Sequence, residues 1–293
     1  MPAKFCLKRG IKIITAMLRR GNADPFVRSR KPFRDTKMMH TVGRRYTEER
    51  HRLHRKIVRR IAEKAEGHHK GAPIAILIGG GTASGKTTLR KGLVQRELKK
   101  RRIKAALIDP DELKAHIPEY KGFQKTDPKR AASLVHRESC DIGALLLKRL
   151  MSERKSFIYE GTMARTGQYI RLVERLRGAG YRIVVFVADV PLRIAKRRAV
   201  ERARRTGRTV PARVIEITHR LVPGTLEAIK DRVDCYWVYD MEKGPKLIAS
   251  KEYVDGGRYD RFLKKGQRGR RKRKAKIARK ADLADDVLNP PGP

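Results

Sequence analysis

The chain has 293 residues, of which 40% are apolar, and a strongly unbalanced charge: 73 Lys and Arg stand against 31 Asp and Glu, giving a formal net charge of +42. Three widely separated cysteines argue against a disulfide framework and against a zinc cluster. No apolar run approaches the ~20 residues of a membrane-spanning helix, so the sequence predicts a soluble, cytoplasmic protein whose surface attracts polyanions.

The N-terminal region is basic. Residues 1–45 are rich in Lys and Arg and only weakly periodic, and we expect a basic, partly disordered arm. Thr47 is suited to cap a helix in which Leu53, Ile57 and Ile61 recur at every fourth position. The first folded domain is therefore predicted to begin near residue 46.

A glycine-rich segment, residues 79–88, lies between an apolar run at 74–78 and a segment suited to a helix at 89–98. It contains the pattern G-x-x-x-x-G-K-[ST], which in this strand–loop–helix context is typical of a phosphate-binding P-loop. We expect Lys86 to act in catalysis by reaching the β- and γ-phosphates of ATP, and the Thr87 hydroxyl to bind Mg²⁺. The predicted nucleotide-binding residues are Gly80, Gly81, Thr82, Ala83, Ser84, Gly85, Lys86, Thr87 and Thr88.

Four further apolar segments, each separated from the next by a helical pattern, predict strands. They are residues 102–108, 157–159, 181–188 and 235–239. The alternation predicts an α/β fold, a P-loop NTPase-type parallel five-stranded sheet with helices on both faces. Residues 251–293, dominated by Lys and Arg from about 264 to 280, are predicted to form a basic, largely disordered tail.

Acidic and hydroxyl side chains follow two of the predicted strands. Asp109, Asp111 and Glu112 come after the second strand, and Glu160 and Thr162 after the third, where acid and hydroxyl groups commonly hold Mg²⁺ or substrate hydroxyls. Because ligands of parallel α/β sheets bind beyond the carboxyl ends of the strands, these groups are expected to share one crevice with the P-loop. Asp111 is the preferred general base for phosphoryl transfer to a hydroxyl, with a helix cap as the alternative for Asp109 or Asp111.

Three other side chains carry open alternatives. Glu138 lies on the apolar stripe of its helix, which indicates either a ligand-binding carboxylate or a salt bridge to an arginine. Thr162 either contacts substrate or caps the following turn. Arg208, in a loop after a very basic helix, is the preferred arginine to close over the γ-phosphate, while most of the neighbouring arginines are expected to be solvated surface.

Several of these segments together resemble the zeta-toxin family of P-loop kinases, over about residues 46–250. The segments that carry the resemblance are residues 80–88, 108–118, 136–139, 160–162 and 207–211. The resemblance implies that Lys86 grips ATP, that Asp111 is the base for a sugar hydroxyl, and that an arginine of the lid region meets the γ-phosphate. It also implies that Glu138, Glu160 and Thr162 bind substrate.

The chain departs from the family pattern at two positions. Toxin members often carry an arginine two residues after the threonine, where this chain has Ala164; Arg165, one position later, is assigned to substrate binding. Lys114 replaces a second frequent arginine.

The function implied by this resemblance is transfer of the γ-phosphoryl group of ATP, with Mg²⁺, to a hydroxyl of UDP-N-acetylglucosamine, with an antitoxin as a candidate protein partner. Two alternatives stay open. One is a kinase for polynucleotide ends or another small molecule, and the other is a P-loop protein that mainly binds nucleic acid through its basic tails. Catalysis by the kinase is expected to survive deletion of residues 264–293.

Overall fold

A six-stranded sheet forms the centre of the structure, a computed structural model that describes residues 34–67, 71–207 and 209–266. Its strands are β3 (Ile74–Gly79), β4 (Ala106–Ile108), β5 (Phe157–Glu160), β6 (Arg182–Asp189), β7 (Cys235–Asp240) and β8 (Lys246–Ser250). They are arranged in the order β4-β5-β3-β6-β7-β8. A separate antiparallel pair consists of β1 (Thr41–Val42) and β2 (Arg45–Tyr46).

The predicted five-stranded parallel arrangement is confirmed for β3 to β7. The sequence does not predict β8, which pairs antiparallel with β7 and forms the edge of the sheet. Only residues 241–245 connect β7 to β8. Such a connection is too short for the crossover that a parallel strand requires, so β8 runs antiparallel.

The P-loop strand β3 lies inside the sheet, with β5 on one side and β6 on the other. The strand order extends through β5 to β4 on one side and through β6 to β7 on the other. Parallel α/β sheets bind ligands at such a switch in strand order, outside the carboxyl ends of the strands. The crevice for a ligand therefore opens where β3, β5 and β6 end.

Helices occupy both faces of this sheet. In the described part of the chain they are α1 (Thr36–Met39), α2 (Glu48–Ala62), α3 (Lys86–Leu89, a π-type segment Arg90–Val94, and Gln95–Lys100), α4 (Pro110–Leu113), α5 (Glu119–Thr126), α6 (Ala131–Leu134), α7 (His136–Ser152), α8 (Thr166–Gly178), α9 (Leu192–Thr206), α10 (Ala212–Ile229) and α11 (256–266). None of these described helices is long and apolar enough to cross a membrane.

Order begins before the predicted domain start at residue 46. The chain divides into two units between Arg34 and Asp35, and residues from Asp35 onward belong to the unit that contains the sheet. Asp35 caps α1 by accepting a hydrogen bond from Met38 N, and the buried Thr36 donates to Leu134 O. These short-range and long-range contacts fix a segment that composition alone assigns to the basic arm; residues 1–33 lie outside the described residues.

The C-terminal region also differs from its prediction. Residues 256–266, predicted to belong to the disordered tail, form α11, in which Tyr259, Phe262 and Leu263 make an apolar stripe at helical spacing. Phe262 is 1% exposed and joins the main core. A helix with such a stripe is stabilised by burying it, despite the basic residues around it. The Lys- and Arg-rich residues 267–293 lie outside the described residues.

Candidate active site

The glycines of the P-loop are required by close packing. Gly80 has a φ of +147°, and a Cβ there would lie 2.4 Å from Ala188 O. A Cβ on Gly81 would lie 2.2 Å from the His219 ring, and Gly85, with a φ of +98°, begins α3. The loop is therefore held between β6 and α10, with its backbone in conformations that other residues rarely adopt.

Lys86 bends back over this loop. Its Nζ donates hydrogen bonds to Gly80 O and Gly81 O, each at 3.0 Å. Burial lowers the pKa of Lys86, and the negative charges of Glu160 and Asp111 act in the opposite direction. The ammonium group thus interacts with carboxylates that follow two other strands, as expected for a shared crevice.

Glu160 and Thr87 meet directly in that crevice. Thr87 Oγ1 donates to Glu160 Oε1 at 3.0 Å, and Arg90 Nε donates to Glu160 Oε2 at 2.7 Å. Arg90 is 2% exposed and also donates to Glu112 Oε1 at 3.1 Å. Arg90 belongs to no sequence motif, although its position four residues after Lys86 places it one helical turn further along α3.

The donor atoms here suit Mg²⁺. No group of three or more His, Cys, Asp or Glu side chains in the described ranges is arranged to hold a metal ion by itself. Mg²⁺, however, prefers oxygen ligands and usually takes only one or two from the protein, with phosphates and water supplying the rest. The Thr87 hydroxyl and the Glu160 carboxylate form a donor pair of this kind.

Asp109 and Asp111 have different environments. Asp109 caps α4, because its Oδ1 accepts a hydrogen bond from Asp111 N at 2.9 Å. Of the two aspartates, Asp109 therefore has the helix-capping role that the sequence left open. Burial, with the charge of Glu160 adding to it, raises the pKa of Asp109 to about 6. The Asp111 side chain is 43% exposed and accepts from the buried Lys114 Nζ at 2.8 Å. Asp111 is therefore the more accessible carboxylate of the two.

The remaining predicted substrate residues follow β5 in the chain. Thr162 and Arg165 are both exposed in the segment between β5 and α8. Cys140 is exposed on α7, and the charges of Lys114, Asp141, Asp111 and Arg165 all act on its thiol. Charged side chains from three different segments therefore lie around this position.

Glu138 occupies a different environment from the one its assignment to substrate binding requires. It is 0% exposed, and its carboxylate accepts from Arg50 Nε at 2.6 Å and pairs with His54 Nε2 at 2.7 Å. The geometry thus matches the alternative, a salt bridge to an arginine. A carboxylate buried between α2 and α7 holds the two helices together and presents no surface to a ligand.

The basic helix α9 contributes two arginines to the nucleotide side. Arg198 Nη2 donates to Met241 O at 2.8 Å and to Glu242 O at 3.1 Å, and its Nη1 is near Gly85. The positive charge of Arg202 acts on Lys86. Arg208, the arginine preferred from sequence, lies outside the described residues.

The helix α10 supports the tip of the P-loop, which the sequence does not predict. Thr218 Oγ1 accepts from Thr82 N at 3.1 Å, and His219 Nε2 donates to Thr82 O at 2.9 Å. Burial lowers the pKa of His219 to about 4, so the ring is neutral at pH 7. Thr82 is separated in the chain from Thr218 by 136 positions and from His219 by 137, so no local sequence pattern indicates these contacts.

The chain also matches the model of a known protein family. The family model described as Zeta toxin matches residues 58–253, more than half of the chain. The chain belongs to the zeta-toxin family. The match covers the P-loop, both acidic strand ends and the helices α9 and α10, while α11 lies beyond it.

Two curated relatives share about a quarter of their aligned residues with this zeta-toxin chain. Toxin zeta of Streptococcus pyogenes is 26% identical over 165 residues, which cover 54% of this chain and 56% of the relative. The calmodulin calcium-dependent NAD kinase of Arabidopsis thaliana is 25% identical over 130 residues, covering 40% of this chain and 24% of the relative. The chain thus spans about half the length of the curated zeta toxin that it matches.

Solved structures share the zeta-toxin fold with this chain. A structure of the PezAT chromosomal toxin–antitoxin system of Streptococcus pneumoniae aligns with a TM-score of 0.56 at 18% identity, covering 71% of this chain and 82% of that one. The AvrRxo1-ORF1:-ORF2 structure with ATP aligns with a TM-score of 0.65 at 17% identity, covering 78% and 82%. At these identities the likeness concerns the fold.

Proposed function

We propose that this protein is a kinase that transfers the γ-phosphoryl group of ATP to a hydroxyl of a small molecule, with Mg²⁺ as cofactor. One observation above all supports the proposal: the Thr87 hydroxyl of the P-loop donates to Glu160, at the end of another strand, at 3.0 Å. Asp111, after a third strand, is close enough for its charge to act on Lys86. Phosphoryl transfer needs three things in one place: a group that binds the phosphates, oxygen ligands for the metal and an accessible carboxylate.

Each side chain has a distinct role in this proposal. Lys86 would exchange its two carbonyl partners for phosphate oxygens, and Thr87 and Glu160 would hold the Mg²⁺ ion. Bound Mg²⁺ would supply charge stabilisation on the phosphate oxygens. Asp111 accepts the proton of the attacking hydroxyl, and its ion pair with Lys114 orients that carboxylate.

An arginine from α9 completes the nucleotide side. The proximity of Arg202 to Lys86 makes it a candidate, beside Arg208, to offset the charge that develops on the transferred group. Thr162 and Arg165, exposed on the acceptor side near Asp111, are proposed to position the acceptor.

UDP-N-acetylglucosamine is our leading acceptor, because membership of the zeta-toxin family favours it. Its diphosphate would suit the exposed guanidinium of Arg165. We further propose a cytoplasmic location, where ATP and nucleotide sugars are available, and an antitoxin as protein partner. The partner is suggested by the toxin–antitoxin system among the structural relatives.

The test is a product assay with purified protein, ATP·Mg²⁺ and a panel of sugar nucleotides. We expect a phosphorylated product, and Asp111→Asn should lower its rate ~10²–10⁴-fold because the hydroxyl proton loses its acceptor. Asp231→Asn, which removes an exposed carboxylate from the turn after α10, serves as the matched control and should leave the rate unchanged. Unchanged turnover in Asp111→Asn would contradict the assigned mechanism.

A second function, binding of polyanions, is favoured by a surface groove between α2 and α7. The groove has a volume of about 490 Å³, and its lining residues are Arg52, Arg55, Lys56, Val58, Arg59, Leu145 and Arg149. Three of the five lining cations, Arg55, Arg59 and Arg149, are paired with Glu48, Glu63 and Glu153. The other two, Arg52 and Lys56, are exposed on α2, and they would attract a chain of phosphates. No aromatic side chain is among these lining residues, so we propose contact with the backbone of a nucleic acid without base stacking.

A further inference from the structure

The helix α11 lies beyond the part of the chain that matches the family, yet it contacts the nucleotide side of the sheet. Lys265 Nζ donates to Asp189 Oδ2 and, at 2.8 Å, to Val190 O. Two turns earlier on the same helix, Arg258 Nη1 donates to Asp240 Oδ2 at 3.2 Å. One helix thus delivers two cations to two carboxylates.

Those two carboxylates are neighbours. Asp189 and Asp240 are the last residues of β6 and β7, and they are paired in register across the parallel strands. Burial raises the pKa of Asp189, and the charge of Asp240 adds to that effect while Lys265 opposes it. Without α11, two adjacent carboxyl groups at this end of the strands would lose their described ion pairs, and each would disfavour the ionisation of the other.

These strand ends are in contact with the P-loop. Ala188, directly before Asp189, has its carbonyl oxygen packed against Gly80, and Met241 N donates to Asp189 O at 2.8 Å. The Cβ of Met241 would lie 3.4 Å from a Cβ on Gly85. The charge of Lys265 also acts on His219, the ring that bonds the tip of the loop.

From this arrangement we propose that α11 is a working part of the nucleotide site, and that Lys265 is a positioning residue for ATP. Lys265 neutralises Asp189, and Arg258 neutralises Asp240. Together the two cations remove negative charge that would repel a triphosphate on the P-loop, and they keep the ends of β6 and β7 in place beneath that loop. The inference rests on the proposed kinase function, since it assumes that the P-loop binds ATP.

One expectation from the sequence changes as a result. The sequence alone predicts that deletion of residues 264–293 spares catalysis, but that deletion removes Lys265 along with the basic segment. A deletion that begins at residue 267 leaves the described α11 whole, and we expect it to preserve ATP binding.

The sharper test uses the full chain and the fluorescent probe mant-ATP with Mg²⁺. Lys265→Met is expected to weaken binding ~10-fold at low salt, while kcat at saturating ATP changes less than about twofold. The loss should shrink at high salt, because screening weakens a charge effect but leaves a packing defect in place. Lys265→Arg should bind nearly as well as the wild type.

Two further variants separate charge from folding. Lys264→Met removes the same charge from the adjacent, exposed position of α11 and should bind mant-ATP as the wild type does. Asp189→Asn combined with Lys265→Met should recover most of the lost affinity, because the repelling carboxylate is then gone as well.

The outcomes distinguish the two proposals. If the wild type binds mant-ATP and Lys265→Met weakens it no more than Lys264→Met does, the role of α11 is wrong and the kinase proposal stands. Failure of Asp189→Asn to restore affinity would likewise overturn the charge argument. If the wild-type protein does not bind mant-ATP, the kinase proposal itself falls.

Discussion

Arg90 shows how one side chain joins three parts of the site. Its guanidinium lies between the end of β5 and the start of α4, bonded to Glu160 and Glu112 and 3.9 Å from Asp109. A buried arginine that balances this many carboxylates holds Glu160 in a fixed orientation beside Thr87. The strand-end acids therefore depend on a residue of the P-loop helix that belongs to no motif.

Replacing this arginine should be costly for folding. We expect Arg90→Ala to lower the free energy of unfolding by ~3–5 kcal/mol, because Glu160 would be left buried without its partner. Arg96→Ala, at an exposed position of the same helix, is the matched control and should change it by less than about 0.5 kcal/mol. Urea denaturation of both variants measures the difference. Equal stabilities would mean that Glu160 is satisfied in some other way.

At the scale of elements, the pairing of α2 with α7 depends on a buried cluster. Glu138 on α7 is held by Arg50 and His54, which lie one turn apart on α2. Burial alone would raise the pKa of Glu138, but hydrogen bonds from His54 and Arg50 outweigh it and lower the pKa to about 2. The stabilisation from this group is therefore present above about pH 4.5, the ordinary glutamate value, and is lost as the pH falls toward 2.

This cluster yields a test that separates structure from substrate binding. Glu138→Gln should lower Tm, because a neutral amide cannot balance Arg50, while KM for the acceptor stays within about twofold of wild type. Glu153→Gln weakens a partly exposed ion pair with Arg149 at the other end of α7, and it should lower the free energy of unfolding by no more than about 1 kcal/mol. A large rise in KM with an unchanged Tm would restore Glu138 to the substrate site.

Elements with strong local patterns are those that the sequence predicts correctly. The apolar run before the glycine pattern predicts β3, and Thr47 with its stripe of aliphatic residues predicts α2. By contrast, β8 depends on its pairing with β7, and the short apolar stripe of α11 stands among basic residues that indicate a solvated tail. The contacts of Thr218 and His219 with Thr82 depend on how α10 packs against the P-loop, so the spacing of residues in the sequence does not predict them.

The acceptor side is the least predictable part of the site for the same reason. A carboxylate on an apolar stripe indicates that Glu138 has a partner, but cannot say whether that partner is a ligand or Arg50. For Asp109 and Asp111 the turn at Pro110 does distinguish the two residues, since the first caps α4 and the second is exposed.

For the whole molecule, the net charge of +42 is the dominant property. We expect binding to duplex DNA that is independent of sequence and falls steeply as salt rises, with a slope of about −0.9 per neutralised phosphate on a log–log plot. Arg52→Gln with Lys56→Gln removes two cations from the groove and should reduce that slope by up to about 2. Fluorescence anisotropy over a salt series measures both quantities.

The control for this experiment lies on another helix. Arg171→Gln with Arg175→Gln removes two exposed charges at the same spacing from α8 and should alter the slope less. Affinity that does not respond to salt would rule out polyanion binding. Equal effects of the two double variants would show that the nucleic acid binds outside the groove.

The two hydrogen bonds of Lys86 to Gly80 O and Gly81 O have a consequence for ligand discrimination. A hydrogen bond to a charged group contributes ~1.5–3 kcal/mol, so any phosphate that takes the ammonium must outcompete two carbonyls already bound to it. A triphosphate carries more negative charge and more oxygens than inorganic phosphate does. We therefore expect the loop to bind a triphosphate in preference to inorganic phosphate.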